Sequence, residues 1–392
     1  MAQQTTTSKL VLLGSLYVSQ YIPIVFFTQA IPVFMRQQGM SLETIGLIGI
    51  LGLPWVFKFL WSPFIDRIRF GRWGHYRVWI IGFQCLLALS LIICAFLNIR
   101  NNFNALLLCM FLTCLFASSQ DIATDALAVN LLDPREHGWG NGIQSAGNFL
   151  GAVIGGGVML VLLGQIGWRV GLLSLAVVML LCLIPVLWHQ ETSDHPAAKP
   201  YLRILIAFFR RPKTGQWLLI LLLYMAGFSM AGGMLRPLMV DLGLSLEEIG
   251  WILGVVSFSV GMVGALIAGA LITRWGRKRS LIRFGLLQAV AILTYCLPAI
   301  GFSNLVIIYL VCILVHAAQG MTYTALLAAM MNKSELATAG TDYTIQVSLV
   351  YFSGIAAVVL SGAIAQAWSY PALFMISAAT GLISVWVVAR FY

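Results

Sequence analysis

The sequence has little charge of either sign. Its 392 residues include 23 lysines and arginines and 13 aspartates and glutamates, so 9% of the chain is charged, while 60% is hydrophobic. A soluble globular domain carries about 25% charged residues. With a mean hydropathy of +0.93, a soluble fold of this size could not bury so much apolar surface. The composition therefore predicts an all-α polytopic membrane protein.

Several familiar signatures are also missing. No pair of cysteines has the CxxC spacing, and no Walker-type Gly-x-x-x-x-Gly-Lys-Ser/Thr occurs. We therefore expect no disulfide framework, no metal site, no cofactor and no ATP-driven chemistry. The start "MAQQTTTSK" lacks a charged n-region and a small-residue cleavage site, so the first apolar run is interpreted as retained. Seven cysteines lie in apolar runs and are expected to be core residues: Cys85, Cys94, Cys109, Cys114, Cys182, Cys296 and Cys312.

The sequence contains many long apolar runs. A membrane-spanning helix needs about 20 apolar residues. By that length the sequence predicts twelve spans, at 10–34, 44–64, 78–98, 104–130, 141–164, 168–188, 216–240, 246–272, 281–300, 304–331, 341–366 and 370–390.

The basic residues are distributed unevenly among the connecting segments. If the N-terminus is cytoplasmic, most lysines and arginines fall in cytoplasmic segments, as the positive-inside rule requires. Both termini are therefore predicted to be cytoplasmic. The net charge of +10 is explained by this topology and by the anionic inner leaflet, without nucleic acid as a partner.

The two halves of the chain echo each other. "MSLETIG" (40–46) matches "LSLEEIG" (244–250), and "QDIATDALA" (120–128) matches "QGMTYTALL" (319–327). The longest charged loop divides the predicted spans six and six. The sequence thus predicts an N-terminal six-helix bundle at 1–188, a cytoplasmic linker at 189–215 and a C-terminal six-helix bundle at 216–392.

Two aspartates lie within a predicted span. Asp121 and Asp125 are four residues apart, so they share one face of a helix. Ionisable groups at such depth are costly and usually functional. Lys58 is the matching cation, because it lies at a similar depth in the second span. One interpretation is a fixed ion pair between Lys58 and either acid. The other is that one acid couples transport to protons.

Polar and aromatic side chains in three other spans are candidates for substrate binding. The alternatives are core packing for the aromatic residues, a buried neutral histidine at position 316, and an arginine at 236 that extends to the interface. The candidates are Tyr17, Gln20, Tyr21, Phe27 and Gln29 in the first span, Tyr224 and Arg236 in the seventh, and His316, Gln319 and Tyr323 in the tenth.

The cytoplasmic loops carry a family resemblance. "GALITRWGRKRSL" (269–281) resembles the signature loop of the major facilitator superfamily, and "WSPFIDRIRFGRWGHYR" (61–77) is a looser copy. The resemblance implies twelve helices in two parallel six-helix halves and a cytoplasmic gate at Asp66, Arg67, Arg274 and Arg277. Thr273 stands where the second copy would have its acid, which implies a one-sided latch. The alternative is that both are merely positive-inside loops.

Three further motifs resemble one branch of that superfamily. "LPWVFKFLWSPFIDR", "QDIATDALAV" and "REHGWGN" are similar to AmpG muropeptide permeases, acetyl-coenzyme A transporter relatives and RhtX/FptX siderophore importers. Because AmpG permeases have two extra helices, this compact chain is interpreted as closest to the siderophore importers. That resemblance implies a non-enzymatic, monomeric, proton-driven importer of a ferric siderophore in a bacterial inner membrane. A muropeptide permease is the alternative. A drug exporter is disfavoured because Ala152 stands where the exporter motif has proline.

Overall fold

The computed structural model describes residues 5–32, 35, 47–68, 74–98, 102–189, 191 and 201–392. Every regular element in these ranges is helical. Ten helices within them are long and apolar enough to cross a membrane, which makes the chain a multi-pass membrane protein. They are Thr6–Gln29, Tyr76–Phe96, Phe103–Leu131, Val161–Trp188, Thr214–Asp241, Glu247–Trp275, Arg277–Ala299, Leu305–Lys333, Leu336–Trp368 and Tyr370–Phe391.

The first half of the chain contains eight α-helices in the described ranges. They are α1 (Thr6–Val25), α2 (Leu53–Phe57), α3 (Ser62–Arg67), α4 (Tyr76–Phe96), α5 (Phe103–Leu131), α6 (His137–Ala152), α7 (Met159–Cys182) and α8 (Ile184–Trp188). The π-helical segments Phe26–Ala30 and Val153–Val158 continue α1 and α6, and the 3-10 segments Leu47–Gly52 and Lys58–Leu60 flank α2.

The rest of the described chain adds ten α-helices. They are α9 (Tyr201–Phe209), α10 (Thr214–Tyr224), α11 (Ala226–Asp241), α12 (Leu246–Gly250), α13 (Ser257–Trp275), α14 (Arg277–Leu293), α15 (Cys296–Ala299), α16 (Leu305–Lys333), α17 (Ala339–Trp368) and α18 (Tyr370–Phe391). A π-helical segment at Trp251–Val256 links α12 to α13, and a 3-10 turn at Leu336–Thr338 precedes α17.

Two predicted spans differ from continuous α-helices for local reasons. The span predicted at 44–64 is broken from residue 47 onward into α-helical and 3-10 pieces, with Pro54 and Pro63 in the first turns of α2 and α3. Proline is tolerated there because the first helical N–H groups have no partner. Residues 41–46 lie outside the described residues. Within α7, Gly167 has φ +75°, a left-handed conformation that glycine adopts without strain and that marks a sharp kink.

Contacts divide the chain into two compact units. The first comprises 1–132, 147–205 and 334–344, and the second 133–146, 206–333 and 345–392. The start of α17 therefore belongs to the first unit, and the start of α6 belongs to the second. The predicted linker at 189–215 stays a prediction, and its residues 190 and 192–200 lie outside the described residues.

Glycines allow α6 and its π-helical continuation to approach α1 closely. A Cβ at Gly147 would lie 2.9 Å from the Tyr17 Cβ, and one at Gly151 would lie 2.8 Å from the Val18 carbonyl oxygen. At Gly155 a Cβ would collide with the Ile22 carbonyl group. Small residues give membrane helices this close contact, which fixes the position of α1 and of the polar side chains it carries.

Replacing Gly155 with alanine is expected to destabilise the protein by about 1–3 kcal/mol, because the added methyl group must displace backbone atoms of α1. Gly82→Ala is the matched control, since Gly82 lies within α4 of the same unit and a Cβ there would meet no atom of the described residues within 4 Å. Thermal unfolding of the purified proteins in lipid measures the difference. Equal melting temperatures for the two variants would contradict the close packing.

Candidate coupling and substrate site

The middle of α5 is buried on every side. Residues 117–129 are all buried, including Asp121 at 6% exposure and Asp125 at 1%. Lys58, which is fully buried, forms a salt bridge with Asp121. Gln20 of α1 donates a hydrogen bond from Nε2 to Asp121 Oδ1 at 2.6 Å. Asp121 is therefore held by a cation and an amide donor in a buried site.

The second carboxylate of α5, that of Asp125, has a different hydrogen-bond partner on α1. The Tyr17 hydroxyl donates to Asp125 Oδ1 at 2.9 Å, and Tyr17 is 1% exposed. Tyr17 and Gln20 lie three residues apart on α1, which matches the four-residue spacing of Asp121 and Asp125 on α5 because both spacings follow one helix face. The geometry thus favours a Lys58–Asp121 ion pair beside a Tyr17–Asp125 pair. Which acid titrates stays a prediction.

Asp66 holds the beginning of α17 within the first unit. Its Oδ1 accepts from the Tyr76 hydroxyl at 2.9 Å and from Gly340 N at 3.1 Å. Its Oδ2 accepts from Thr341 N and Thr341 Oγ1, both at 2.7 Å. A carboxylate at a helix N-terminus satisfies unpaired N–H groups and complements the helix dipole. Arg67, predicted beside it in the gate, is exposed.

The second copy of the loop motif makes different contacts within the second unit. Thr273 donates from Oγ1 to the Gly269 carbonyl of its own helix at 3.1 Å. Arg277 donates from Nη2 to the Pro134 carbonyl at 2.9 Å and lies 3.2 Å from His137 Nδ1. Arg274 is exposed. In the described part of the chain, therefore, this copy holds its partner segment through an arginine and not through an acid.

Replacing Asp66 with asparagine is expected to lower stability by about 1.5–3 kcal/mol, because hydrogen bonds to a charged acceptor contribute that much. The control is Asp133→Asn, since Asp133 is exposed. Thermal unfolding in lipid checks the difference. A melting temperature for the Asp66 variant as high as that of the control would show that the bonds to Gly340 and Thr341 contribute nothing to stability.

Three of the predicted substrate residues share one face of α16. His316, Gln319 and Tyr323 are spaced i, i+3 and i+7, and each is half-buried. His316 donates from Nδ1 to the Cys312 carbonyl at 2.9 Å, so its neutral form presents Nε2 as an acceptor. The Phe228 ring meets the imidazole edge to face, with centroids 6.0 Å apart. This set, which we call the α16 stripe, combines hydrogen-bonding groups with an aromatic surface.

The other candidates of the first helix are placed differently. Tyr17 and Gln20 already bind the two carboxylates. Tyr21 packs edge to face against Trp55, with centroids 6.1 Å apart. Phe27 is fully buried, and Gln29 is half-buried. Their role in substrate binding stays a prediction.

The two candidates of the seventh predicted span differ in their surroundings. The Tyr224 hydroxyl donates to the Leu281 carbonyl at 2.7 Å, which satisfies it within the helix packing. Arg236 is exposed. The sequence did not single out the start of α17, although Gly340, Thr341 and Tyr343 are buried in the same unit as the two carboxylates.

Two family models match the chain, one for each half. The model described as Acetyl-coenzyme A transporter 1 matches residues 9–165, and the one described as Major Facilitator Superfamily matches residues 217–392. Among curated proteins, the anhydromuropeptide permease of Escherichia coli K12 is 27% identical over 99% of this chain and 80% of its own length. The chain is thus similar to major facilitators in both halves, and the curated relative belongs to the AmpG-like branch. AmpG 4 of Rickettsia conorii is a further relative, 23% identical over 69% of each chain.

Solved structures share the fold of this chain. The fucose:proton symporter FucP of Escherichia coli superposes with a TM-score of 0.75 at 15% identity, over 99% of this chain and 100% of its own. The human organic anion transporter MFSD10 gives 0.73 at 15% identity, over 98% and 99%. At these identities the likeness establishes the fold alone, and it confirms the all-helical major facilitator fold predicted from the loop motifs.

The prediction of a siderophore importer is wrong. The two relatives described above are named anhydromuropeptide permease and AmpG, and an affiliation with siderophore importers is not supported. The wrong prediction arose because the shorter length of this chain was interpreted as excluding an AmpG permease. The chain aligns with 80% of the Escherichia coli permease over nearly all of its own length, so a shorter chain does not mark a separate branch.

Proposed function

We propose that this protein is a secondary transporter that carries a muropeptide, an amino sugar with a short peptide attached, across the bacterial inner membrane. The alignment with the Escherichia coli anhydromuropeptide permease over 99% of the chain carries the proposal. The major facilitator fold supports it, because that fold transports small molecules by alternating access. A muropeptide permease is the alternative function that the sequence motifs allow, and the names of the relatives favour it over a siderophore importer.

The proposed topology has twelve membrane spans in total. Ten helices in the described ranges have the required length and hydropathy. The broken helix at 47–67 supplies one more, and α6 with its continuation as far as the kink at Gly167 supplies another. Both termini are proposed to face the cytoplasm, because the positive-inside rule places most basic residues on that side.

The α16 stripe is the proposed substrate surface of the second unit. Muropeptides carry hydroxyl, amide and acetamido groups, which need both donors and acceptors, and sugar rings pack well on aromatic faces. His316 Nε2, the Gln319 amide and the Tyr323 hydroxyl supply the polar groups, and Phe228 supplies the ring. In the described part of the chain, no hydrogen-bond partner is found for the buried Gln319 Oε1. A site with a few convergent polar groups on an apolar wall is typical of ligand pockets.

Protons are the proposed driving ion, and the first unit holds the proposed coupling group. Two carboxylates four residues apart repel each other strongly where water is excluded. Lys58 neutralises Asp121 through its salt bridge. Asp125 is held by the neutral Tyr17 hydroxyl, so taking up a proton removes a costly charge from the buried site. We therefore assign Lys58–Asp121 as the fixed pair and Asp125 as the proton carrier.

Uptake of a radiolabelled anhydromuropeptide tests the proposed function. The assay uses cells that lack their own muropeptide permease, with and without this protein, and with and without a protonophore. We expect uptake that depends on the protein and that the protonophore abolishes. Absence of uptake, with the protein shown to be in the membrane, would contradict the proposal.

Replacing Gln319 with alanine is expected to raise the KM for muropeptide by about tenfold, which corresponds to roughly 1.4 kcal/mol and to the loss of one hydrogen bond with the substrate. The maximal rate and the protonophore sensitivity should change little. Asn332→Ala on the same helix is the control, because Asn332 is exposed. An unchanged KM for the Gln319 variant would remove the α16 stripe from the substrate site.

A further inference from the structure

The face of α11 that meets the α16 stripe continues beyond Phe228. Phe228, Gly232 and Arg236 are spaced i, i+4 and i+8, so they lie on one side of α11. The Phe228 ring packs edge to face on the His316 imidazole. Both helices belong to the second unit. This side of α11 therefore begins beside the imidazole and ends at an arginine.

The contacts between α11 and α16 show that the two helices run in opposite directions. The ring contact with His316 sets one level. Further along α11, Leu235 lines an apolar cavity together with Cys312, which lies earlier on α16. At about 1.5 Å per residue, Arg236 lies about 12 Å along α11 from the ring contact, and Tyr309 lies about 10 Å along α16 from it. Arg236 and the half-buried Tyr309 are therefore at the same level.

The space between these two levels is open on the α11 side. A Cβ at Gly232 would meet no atom of the described residues within 4 Å. A Cβ at the next residue, Gly233, would lie 2.7 Å from Ser361 Oγ of α17. The two glycines therefore face in different directions, one against α17 and the other into open space. We call the space beside Gly232, between His316 and Arg236, the α11–α16 groove.

Arg236 places a positive charge at the end of this groove. It lies within the membrane-spanning helix Thr214–Asp241 and is exposed. Among the described residues, no acid and no hydrogen-bond acceptor meets its guanidinium group. Charged residues within membrane spans usually pair or line a water-filled cavity. A guanidinium group presents N–H donors in a planar array that matches a carboxylate, so an anionic ligand in the groove would supply the missing partner.

We propose that Arg236 and Tyr309 form a carboxylate subsite, which binds an acid group of the peptide while the sugar of the same muropeptide lies on the α16 stripe. The inference rests on the proposed function, and it adds the direction in which the cargo lies and the group that is recognised. The distance of about 10 Å from the ring contact to the subsite equals about three extended residues, the length of a short peptide. The Tyr309 hydroxyl supplies a neutral donor beside the charge. The subsite therefore selects a free acid over a neutral analogue of the same shape.

Exchange of two forms of one cargo tests the subsite. The first form is an anhydromuropeptide with free carboxyl groups, and in the second these groups are converted to primary amides. Exchange across liposome membranes with no gradient imposed gives the KM of each form, so the charge of the cargo does not alter the driving force. In the wild-type protein we expect the KM of the free acid to be about tenfold lower, as the gain of one charge-assisted contact predicts.

The variants assign this preference to the subsite. In Arg236→Gln the KM of the free acid should rise to that of the amide form, whose own KM should change little. Arg236→Lys keeps the charge and should retain part of the preference. Tyr309→Phe should reduce the preference by less than Arg236→Gln does.

The matched control is Arg279→Gln, which removes the same charge from an exposed position at the start of α14 in the same unit and should leave the preference intact. Equal KM values for the two forms in the wild-type protein would overturn the proposal, and this comparison needs no variant to fold. A preference that persists in Arg236→Gln, or a KM that rises equally for both forms, would overturn it as well. Exchange of neither form by the wild-type protein would contradict the muropeptide function itself, whereas exchange without preference contradicts only the subsite.

Discussion

Replacing Lys58 with alanine is expected to abolish uptake and to destabilise the protein by about 3–5 kcal/mol, because it leaves the buried Asp121 without its cation. Lys58 is fully buried, it forms a salt bridge with Asp121, and its Nζ lies 5.3 Å from the centroid of the Trp55 ring. Thermal unfolding in lipid and muropeptide uptake measure the two effects. Lys278→Ala is the control, since Lys278 is exposed.

A double variant separates the structural and functional roles of this pair. Lys58→Met with Asp121→Leu replaces both charges with apolar groups of similar volume, which is often neutral or stabilising for a buried ion pair. We expect the double variant to recover most of the lost stability while uptake stays abolished. If uptake recovered together with stability, the pair would be only structural. If Lys58→Ala were as stable as Lys278→Ala, the buried salt bridge would be contradicted.

Replacing Asp125 with asparagine is expected to abolish proton-driven accumulation of muropeptide, so that its concentrations inside and outside become equal, because the amide cannot take up and release a proton. Exchange of labelled for unlabelled muropeptide across the membrane, which needs no net proton movement, should persist. Asp133→Asn is the control, because Asp133 is exposed at the end of α5.

The Asp125 experiment also distinguishes the two aspartates. Asp121→Asn leaves Lys58 without its counter-ion and should lower stability, whereas Asp125→Asn keeps a hydrogen-bonding group opposite Tyr17 and should lower it little. Accumulation that stays sensitive to the protonophore in the Asp125 variant, and is lost with normal stability in the Asp121 variant, would reverse our assignment.

The charged pair was predictable from the sequence because its physics is local. The i, i+4 spacing of Asp121 and Asp125 needs only a helix, and the depth of Lys58 follows from its distance to the end of its span. Because an unpaired charge in an apolar medium is energetically costly, a cation and an anion at the same depth are expected to form a pair. In the structure Lys58 forms its salt bridge with Asp121. Which of the two acids it meets depends on the rotation of α5 about its axis, and the spacing of the residues in the sequence does not determine that rotation.

Other contacts could not be predicted, because they depend on packing between distant segments. Asp66 and Thr341 are 275 residues apart. The sequence therefore predicted Asp66 as the acid of the latch but not the residue that it binds. Tyr17 and Gln20 were assigned to substrate, since a polar side chain in a span gives no sign of whether a ligand or a buried carboxylate satisfies it. The break at Gly167 was visible only as a boundary between two predicted spans.

Proton movement caused by substrate tests the central claim most directly. Purified protein is reconstituted in liposomes that contain a pH-sensitive dye, with no gradient imposed, and an anhydromuropeptide is added outside. The account predicts acidification of the lumen that requires the protein and is lost in the Asp125→Asn variant. Accumulation of labelled muropeptide in the lumen without any change in pH would contradict it.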